Sequence, residues 1–164
     1  MKKLLLTGFE PFRDYSINPT MNIVEELNGI TIGDMKVIGK ILLVDFQRSG
    51  DQIVQYFEEI QPDAVISLGL AAGRYKITPE RIAINCNDGE EDNRGYKPVS
   101  EPIIEDGPDG LFSSLPIQKI VDALKQRKYP AEISNTAGTY LCNHVMYRML
   151  YHLRQKNLNI PAGF

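Results

Sequence analysis

Short apolar runs alternate with helical periods along the chain. Residues 3–7, 37–44 and 64–68 read as buried strands, the last entered through Pro62-Asp63 and left at Gly69. Alternation at Ile82, Ile84 and Cys86 predicts a strand over 81–87, and the same pattern predicts one over 131–135. Helices lie between them. Ile23, Val24 and Leu27 form one face of a helix entered at Asn18-Pro19 and ended at Asn28-Gly29. Ile53, Val54, Phe57 and Ile60 form a second, with Ser49 as its predicted N-cap. Ile117, Ile120, Val121 and Leu124 follow Pro116 at the i, i+3, i+4, i+7 spacing. A last helix over 143–156 turns Val145, Met146, Met149, Leu150 and Leu153 inward.

Strands that are apolar on both faces and alternate with helices predict an α/β fold, a parallel or mixed sheet with helices on both sides. The 164 residues make one domain of ordinary size. In such sheets ligands sit outside the carboxyl ends of the strands. That rule singles out three turns, 7–12, 69–80 and 136–142. Residues 87–116, rich in Gly, Pro and acidic side chains, read as a long irregular excursion of the kind that is usually functional or mobile.

Composition narrows the function class. Hydrophobic residues make up 43% and charged residues 24%, which is globular and not disordered. Eighteen Lys+Arg against twenty-one Asp+Glu leave a net charge of −3, so no basic excess exists to neutralise nucleic-acid phosphates. The apolar run Leu4-Leu5-Leu6 is too short for a secretory signal or a membrane span. Two cysteines, Cys86 and Cys142, are too few for a disulfide-stapled scaffold. The expectation is a soluble cytoplasmic protein with no nucleic-acid or membrane partner.

Cys142 is the most informative residue. It follows the small-residue turn Thr136-Ala137-Gly138-Thr139 and opens the last helix, where unpaired backbone N–H groups and the positive end of the helix dipole favour a thiolate. The same N–H groups could hold an oxyanion. Burial as a small hydrophobe is the competing use of a cysteine at such a place. A thiol nucleophile needs a proton shuttle and a group to orient it. His144 is two residues on, about 200° round the helix, and His152 lies roughly 15 Å along the axis, so neither is expected to reach the sulfur. Glu80 is the candidate orienting carboxylate, provided the fold brings it near Cys142. The two cysteines and two histidines lack the paired spacing of structural zinc motifs, so no metal is expected. Gly69-x-x-x-Gly73 matches no nucleotide-binding fingerprint. The acidic run over 88–93 is not an EF-hand loop and reads as a solvated loop.

Three segments in order, Thr7-Gly8-Phe9-Glu10-Pro11-Phe12 with Asn18-Pro19, Gly69-Leu70-Ala71-Ala72-Gly73-Arg74 leading to Thr78-Pro79-Glu80-Arg81-Ile82-Ala83-Ile84-Asn85, and Ser134-Asn135-Thr136-Ala137-Gly138-Thr139-Tyr140-Leu141-Cys142-Asn143, strongly resemble the pyroglutamyl peptidase I family of cysteine peptidases. Asp106-Gly107-Pro108 and Ser114-Leu115-Pro116 extend the likeness along the whole chain. The resemblance implies a three-layer α/β/α sandwich that removes N-terminal pyroglutamyl residues from peptides without metal or organic cofactor. It places the nucleophile on Cys142 and the catalytic glutamate on Glu80. Phe9 and Phe12 match the aromatic pair that walls the lactam ring, Asn18 a residue that fixes the site loops, and Val44, Tyr140 and Leu141 further wall positions. Family members often form dimers or tetramers, so a homo-oligomer is implied.

Two departures from the family pattern add expectations. The family's catalytic histidine lies on a strand just after the segment matching Ala162-Gly163-Phe164, and a final helix follows. The expectation is therefore a fold short of that last strand and helix, weak or inactive by itself. Residues 88–93 are also more acidic than the family's loop, where an Arg and an apolar residue serve the site. The alternative to a peptidase is a catalytically dead paralogue that binds pyroglutamate or serves in assembly. A third is an amidohydrolase acting on a related lactam.

Overall fold

The computed structural model describes residues 1–12 and 14–164. Its central sheet runs β2 (Thr31–Ile32), β3 (Met35–Leu42), β1 (Lys2–Phe9), β4 (Ala64–Ser67) and β7 (Ala162–Gly163), with β1 in the middle. Parallel ladders join β1 to β3, β1 to β4, and β4 to β7. Only β2 runs antiparallel, against β3. The sheet is thus mixed and mostly parallel, as its doubly apolar strands predict.

The pleat sends alternate side chains of β1 into two cores. Leu6 joins Val24 and Val37 under α1 (Pro19–Leu27), while Leu5 and Phe9 join Leu42, Val65, Ile53 and Phe57 on the other face. That second face is covered by α2 (Ser49–Ile60) and α4 (Leu141–Gln155). All five inward residues predicted for the last helix are buried there. Between them in sequence, β5 (Ile82–Ile84) and β6 (Gly110–Phe112) make a separate antiparallel pair, and α3 (Ile117–Gln126) buries only Val121. Among the described residues no helix is long and apolar enough to cross a membrane.

Several expectations need correction. Residues 131–135 form no strand; Ala131 and Ser134 make isolated bridges to Ile77 and Glu80. Pro79 interrupts the facing segment and has no N–H to donate, so a continuous ladder cannot form. Ser49 is the first helical residue of α2 and not its cap. The turn before it is closed by Asp45, whose Oδ1 accepts from the N–H groups of Gln47 at 2.8 Å and Arg48 at 3.1 Å. Ile23 is exposed at the rim of a cleft instead of packed beneath α1. The acidic run over 88–93 is not wholly solvated: Asp92 is buried and its carboxylate accepts from the N–H groups of Phe46, Arg94 and Tyr96. Nor is the sheet cut short beside β4. Ala162 and Gly163 pair with Val65 and Ile66, and Ser114 Oγ accepts the Ala162 N–H at 2.9 Å.

Candidate active site

The carboxyl ends of β1, β3 and β4 converge with the N-terminus of α4. Phe9 closes β1 and is buried in the core; Phe12 follows in the next turn, half-buried. Asn18 caps α1, its Oδ1 accepting from Thr20 N at 3.0 Å and Thr20 Oγ1 at 2.7 Å, while its Nδ2 donates to the Glu10 carbonyl. Gly8 permits this close approach, since a Cβ there would lie 2.7 Å from the Thr20 carbonyl oxygen. Val44 follows β3, buried, with its N–H on Glu10 Oε1 at 3.1 Å.

From the opposite side come Tyr140, the residue before α4, and Leu141, its first residue. The Phe12 and Tyr140 rings lie 6.3 Å apart, and Phe46 meets Tyr140 edge-on at 5.3 Å. The Tyr140 hydroxyl donates to the Glu91 carbonyl at 2.7 Å, which ties the acidic loop to this wall. The Phe12 and Tyr140 rings thus meet, Val44, Leu141 and Phe9 are buried in the core behind them, and Asn18 fixes the loop; none of these six lines the cleft that holds Cys142.

Cys142 occupies the first turn of α4 and lines a cleft of about 550 Å³ together with Glu80, Gly69, Arg74 and Phe164. The condition set on Glu80 is thereby met. Gly69 lets the thiol in: a Cβ on it would sit 2.6 Å from Cys142 Sγ and overlap the Phe164 ring. Glu80 is buried, with Oε1 accepting from Arg74 Nη1 at 3.0 Å and Oε2 lacking any hydrogen-bond partner among the described residues. Burial pushes its carboxyl up, against the opposing pull of the Ser134 hydroxyl and the Arg74 guanidinium.

The thiolate expected at Cys142 is not favoured here. Burial first, and the Glu80 carboxylate second, push the thiol up to about 12, outweighing the backbone N–H and Arg74 that favour the anion. Neither histidine helps. His144 is buried with Nδ1 donating to Asn87 Oδ1 at 2.9 Å, and His152 meets Glu58 at 2.5 Å. The described residues also include no group of three or more His, Cys, Asp or Glu placed to hold a metal.

Sequence reasoning missed two residues of the site. Asn143 is fully buried and clamps α4 to β5: Oδ1 accepts from Ile84 N, and Nδ2 donates to the Ile84 and Cys86 carbonyls. Arg74 bridges two loops beside Glu80. Both stand inside the motifs noted above, yet neither residue type announces such a use.

Comparison with known proteins places the chain in a family. The family model described as pyroglutamyl peptidase matches residues 2–164. A pyrrolidone-carboxylate peptidase from Oceanobacillus iheyensis is 60% identical over 164 residues, covering 100% of this chain and 82% of the relative. One from Pyrococcus furiosus is 48% identical, covering 99% and 78%. The crystal structure of Bacillus amyloliquefaciens pyroglutamyl peptidase I superposes with a TM-score of 0.97 at 39% identity, over 100% of this chain and 80% of that one. The pyrrolidone carboxyl peptidase from Thermococcus litoralis gives 0.97 at 44%, over 100% and 75%. The chain belongs to the pyroglutamyl peptidase family.

Proposed function

We propose that this protein removes N-terminal pyroglutamyl residues from peptides by thiol chemistry. The observation that carries the reading is the meeting of Cys142 and buried Glu80 in one cleft, at the strand ends where the family resemblance predicts both. Cys142 Sγ attacks the pyroglutamyl carbonyl, the peptide amine departs, and water hydrolyses the thioester. An imidazole oriented by Glu80 takes the thiol proton and returns it to the leaving amine. A pyroglutamyl ring carries no free α-amine, so recognition falls to a small, flat, mostly apolar slot. Phe12 and Tyr140, partly exposed rings 6.3 Å apart, suit the wall of that slot, with buried Val44, Leu141, Phe9 and Asn18 supporting it from behind.

His144 and His152 are both engaged elsewhere, and the thiol is held protonated. Turnover by these residues is therefore expected to be slow. With this reading go assembly as a homo-oligomer and residence in the cytoplasm.

The test is release of a fluorescent amine from a 5-oxoprolyl amide, with Cys142→Ala alongside and the sample's mass recorded. Slow, cysteine-dependent release is expected. Family-level turnover would refute the rate argument. Calorimetric binding of pyroglutamate with no cysteine-dependent release at any pH would replace the peptidase with a binding protein.

A further inference from the structure

Arg74 has no part in the chemistry above, yet its guanidinium spans two loops. It stands in the turn after β4. Nη1 donates to Glu80 Oε1 at 3.0 Å, Thr78 Oγ1 at 3.1 Å and Ser134 Oγ at 3.4 Å, and Nη2 donates to the Thr136 carbonyl at 3.3 Å. Ser134 Oγ in turn bonds the Thr136 carbonyl at 2.9 Å. Residues 134–136 lead into α4 and so to Cys142.

We propose that Arg74 is a positioning residue that pins Glu80 by one oxygen and fastens the approach to Cys142 to the same cation, leaving Glu80 Oε2 to hold the proton-shuttling imidazole. This rests on the reading of Glu80 and Cys142 given above. The geometry distinguishes the pair from an ordinary surface ion pair, because the Glu80 side chain is only 7% exposed while Arg74 is 37% exposed. A carboxylate so far out of water stays ionised only beside a cation or strong donors. A planar fork can serve the carboxylate and the Thr136 carbonyl at once, whereas a lysine ammonium is a point charge on a flexible stem.

The ionisable groups facing Glu80 are few. Arg74 comes from the turn after β4 and Cys142 from α4, while Ser134 is neutral. From the β7 side the Phe164 carbonyl accepts the Glu80 N–H at 2.9 Å. Lys76, the next cation along, is paired with Glu132 at 2.9 Å. Removal of Arg74 therefore leaves burial unopposed by any neighbouring charge, and the Glu80 midpoint moves up. A protonated Glu80 cannot balance an imidazolium.

The experiment titrates Glu80 by carboxyl 13C NMR, with Glu80→Gln for assignment, in the unmodified protein, Arg74→Gln, Arg74→Lys and Lys76→Gln. Arg74→Gln is expected to raise the Glu80 midpoint and Lys76→Gln to leave it in place. Arg74→Lys should restore most of the midpoint. On the 5-oxoprolyl amide, Arg74→Gln should lower kcat/KM about 10–100-fold, mostly in kcat, as loss of an orienting partner does, with the acid limb shifted upward. Arg74→Lys should recover only part of that loss. An unmoved Glu80 midpoint in Arg74→Gln, or an equal shift in Lys76→Gln, overturns the proposal. Should Arg74→Gln fail to fold, full turnover with an unchanged pH profile in Arg74→Lys overturns the fork argument instead. Because the NMR arm uses no turnover, a protein that never cleaves the amide would sink the peptidase reading while Arg74 is still tested.

Discussion

Lowering the pH from 7 to 4.5 should destabilise the fold through one residue outside the cleft, His144. It is buried, with Nδ1 on Asn87 Oδ1 and Nε2 lacking a hydrogen-bond partner among the described residues. Burial, with the charge of Arg148 as a second cause and Asp51 weakly opposing, holds its pKa down to about 4 against an ordinary 6.5. The folded state therefore binds this proton more weakly than the unfolded chain does. Above pH 6.5 both states are neutral and nothing is lost. As the pH falls through 6.5 the unfolded chain takes up the proton first, and stability declines until about pH 4, where the folded state also protonates. A pKa unit is worth about 1.4 kcal/mol, so the loss by pH 4.5 is roughly 2–3 kcal/mol, a large part of a typical domain's 5–15 kcal/mol.

Urea unfolding at half-unit pH steps, on the unmodified protein and on His144→Gln, isolates this contribution. Carboxylates titrate in the same range, but they are common to both proteins and cancel in the difference. The variant is expected to be less stable at pH 7, through the Asn87 partner it disturbs, and flatter below pH 6.5. The gap between the two curves should narrow by roughly 2–3 kcal/mol on going to pH 4.5. Parallel curves from pH 6.5 to 4.5 would show that His144 titrates as if exposed, and the argument from burial would be wrong.

Two further outcomes follow from the cleft. With its thiol pushed up to about 12, Cys142 should be thiolate in only about 1 part in 10⁵ at pH 7, so iodoacetamide should label it slowly, about tenfold faster per pH unit between 7 and 10. Mass spectrometry that finds it modified within minutes at pH 7 would contradict this. Asn143→Ala leaves the part-buried Ile84 N–H and Cys86 carbonyl without this partner, while the Ile84 carbonyl keeps the Cys86 N–H, at about 1–3 kcal/mol in urea unfolding. A loss within about 0.5 kcal/mol would mean that water replaces the amide there.

The parts of the fold legible in the sequence are those whose own pattern determines them. Strands β1, β3 and β4 are apolar runs that cannot be left in water, and α4 repeats its buried residues at helical spacing. The short elements are different. Ala162-Gly163 has no run to read and becomes β7 only because β4 offers an unpaired edge and Ser114 a hydrogen bond. The reverse error occurs at 131–135, where the alternation is present but Pro79 opposite denies the ladder. Ile23 belongs by spacing to the buried stripe of α1, and only the tertiary shape leaves it at the rim of the cleft.

The site divides along the same line. The motifs nominate Cys142 and Glu80, and the fold brings both to one cleft, but local features alone give the opposite sign for the state of the thiol. A helix N-terminus and its N–H groups are local features, visible from the position of Cys142 in the chain, and both favour the anion. Desolvation and the Glu80 carboxylate are long-range: they depend on Gly69, Phe164 and Glu80 closing around the sulfur from three other segments. Arg74 is illegible in the sequence for the same reason, since an arginine in a glycine-rich turn is solvated until a buried carboxylate 6 residues on gives it a partner. Local electrostatics can thus nominate a nucleophile, but whether it rests as thiol or thiolate is decided by what the fold removes from water around it. In this chain that balance favours the thiol, and under the proposed function a base held on the unpaired oxygen of Glu80 would activate it.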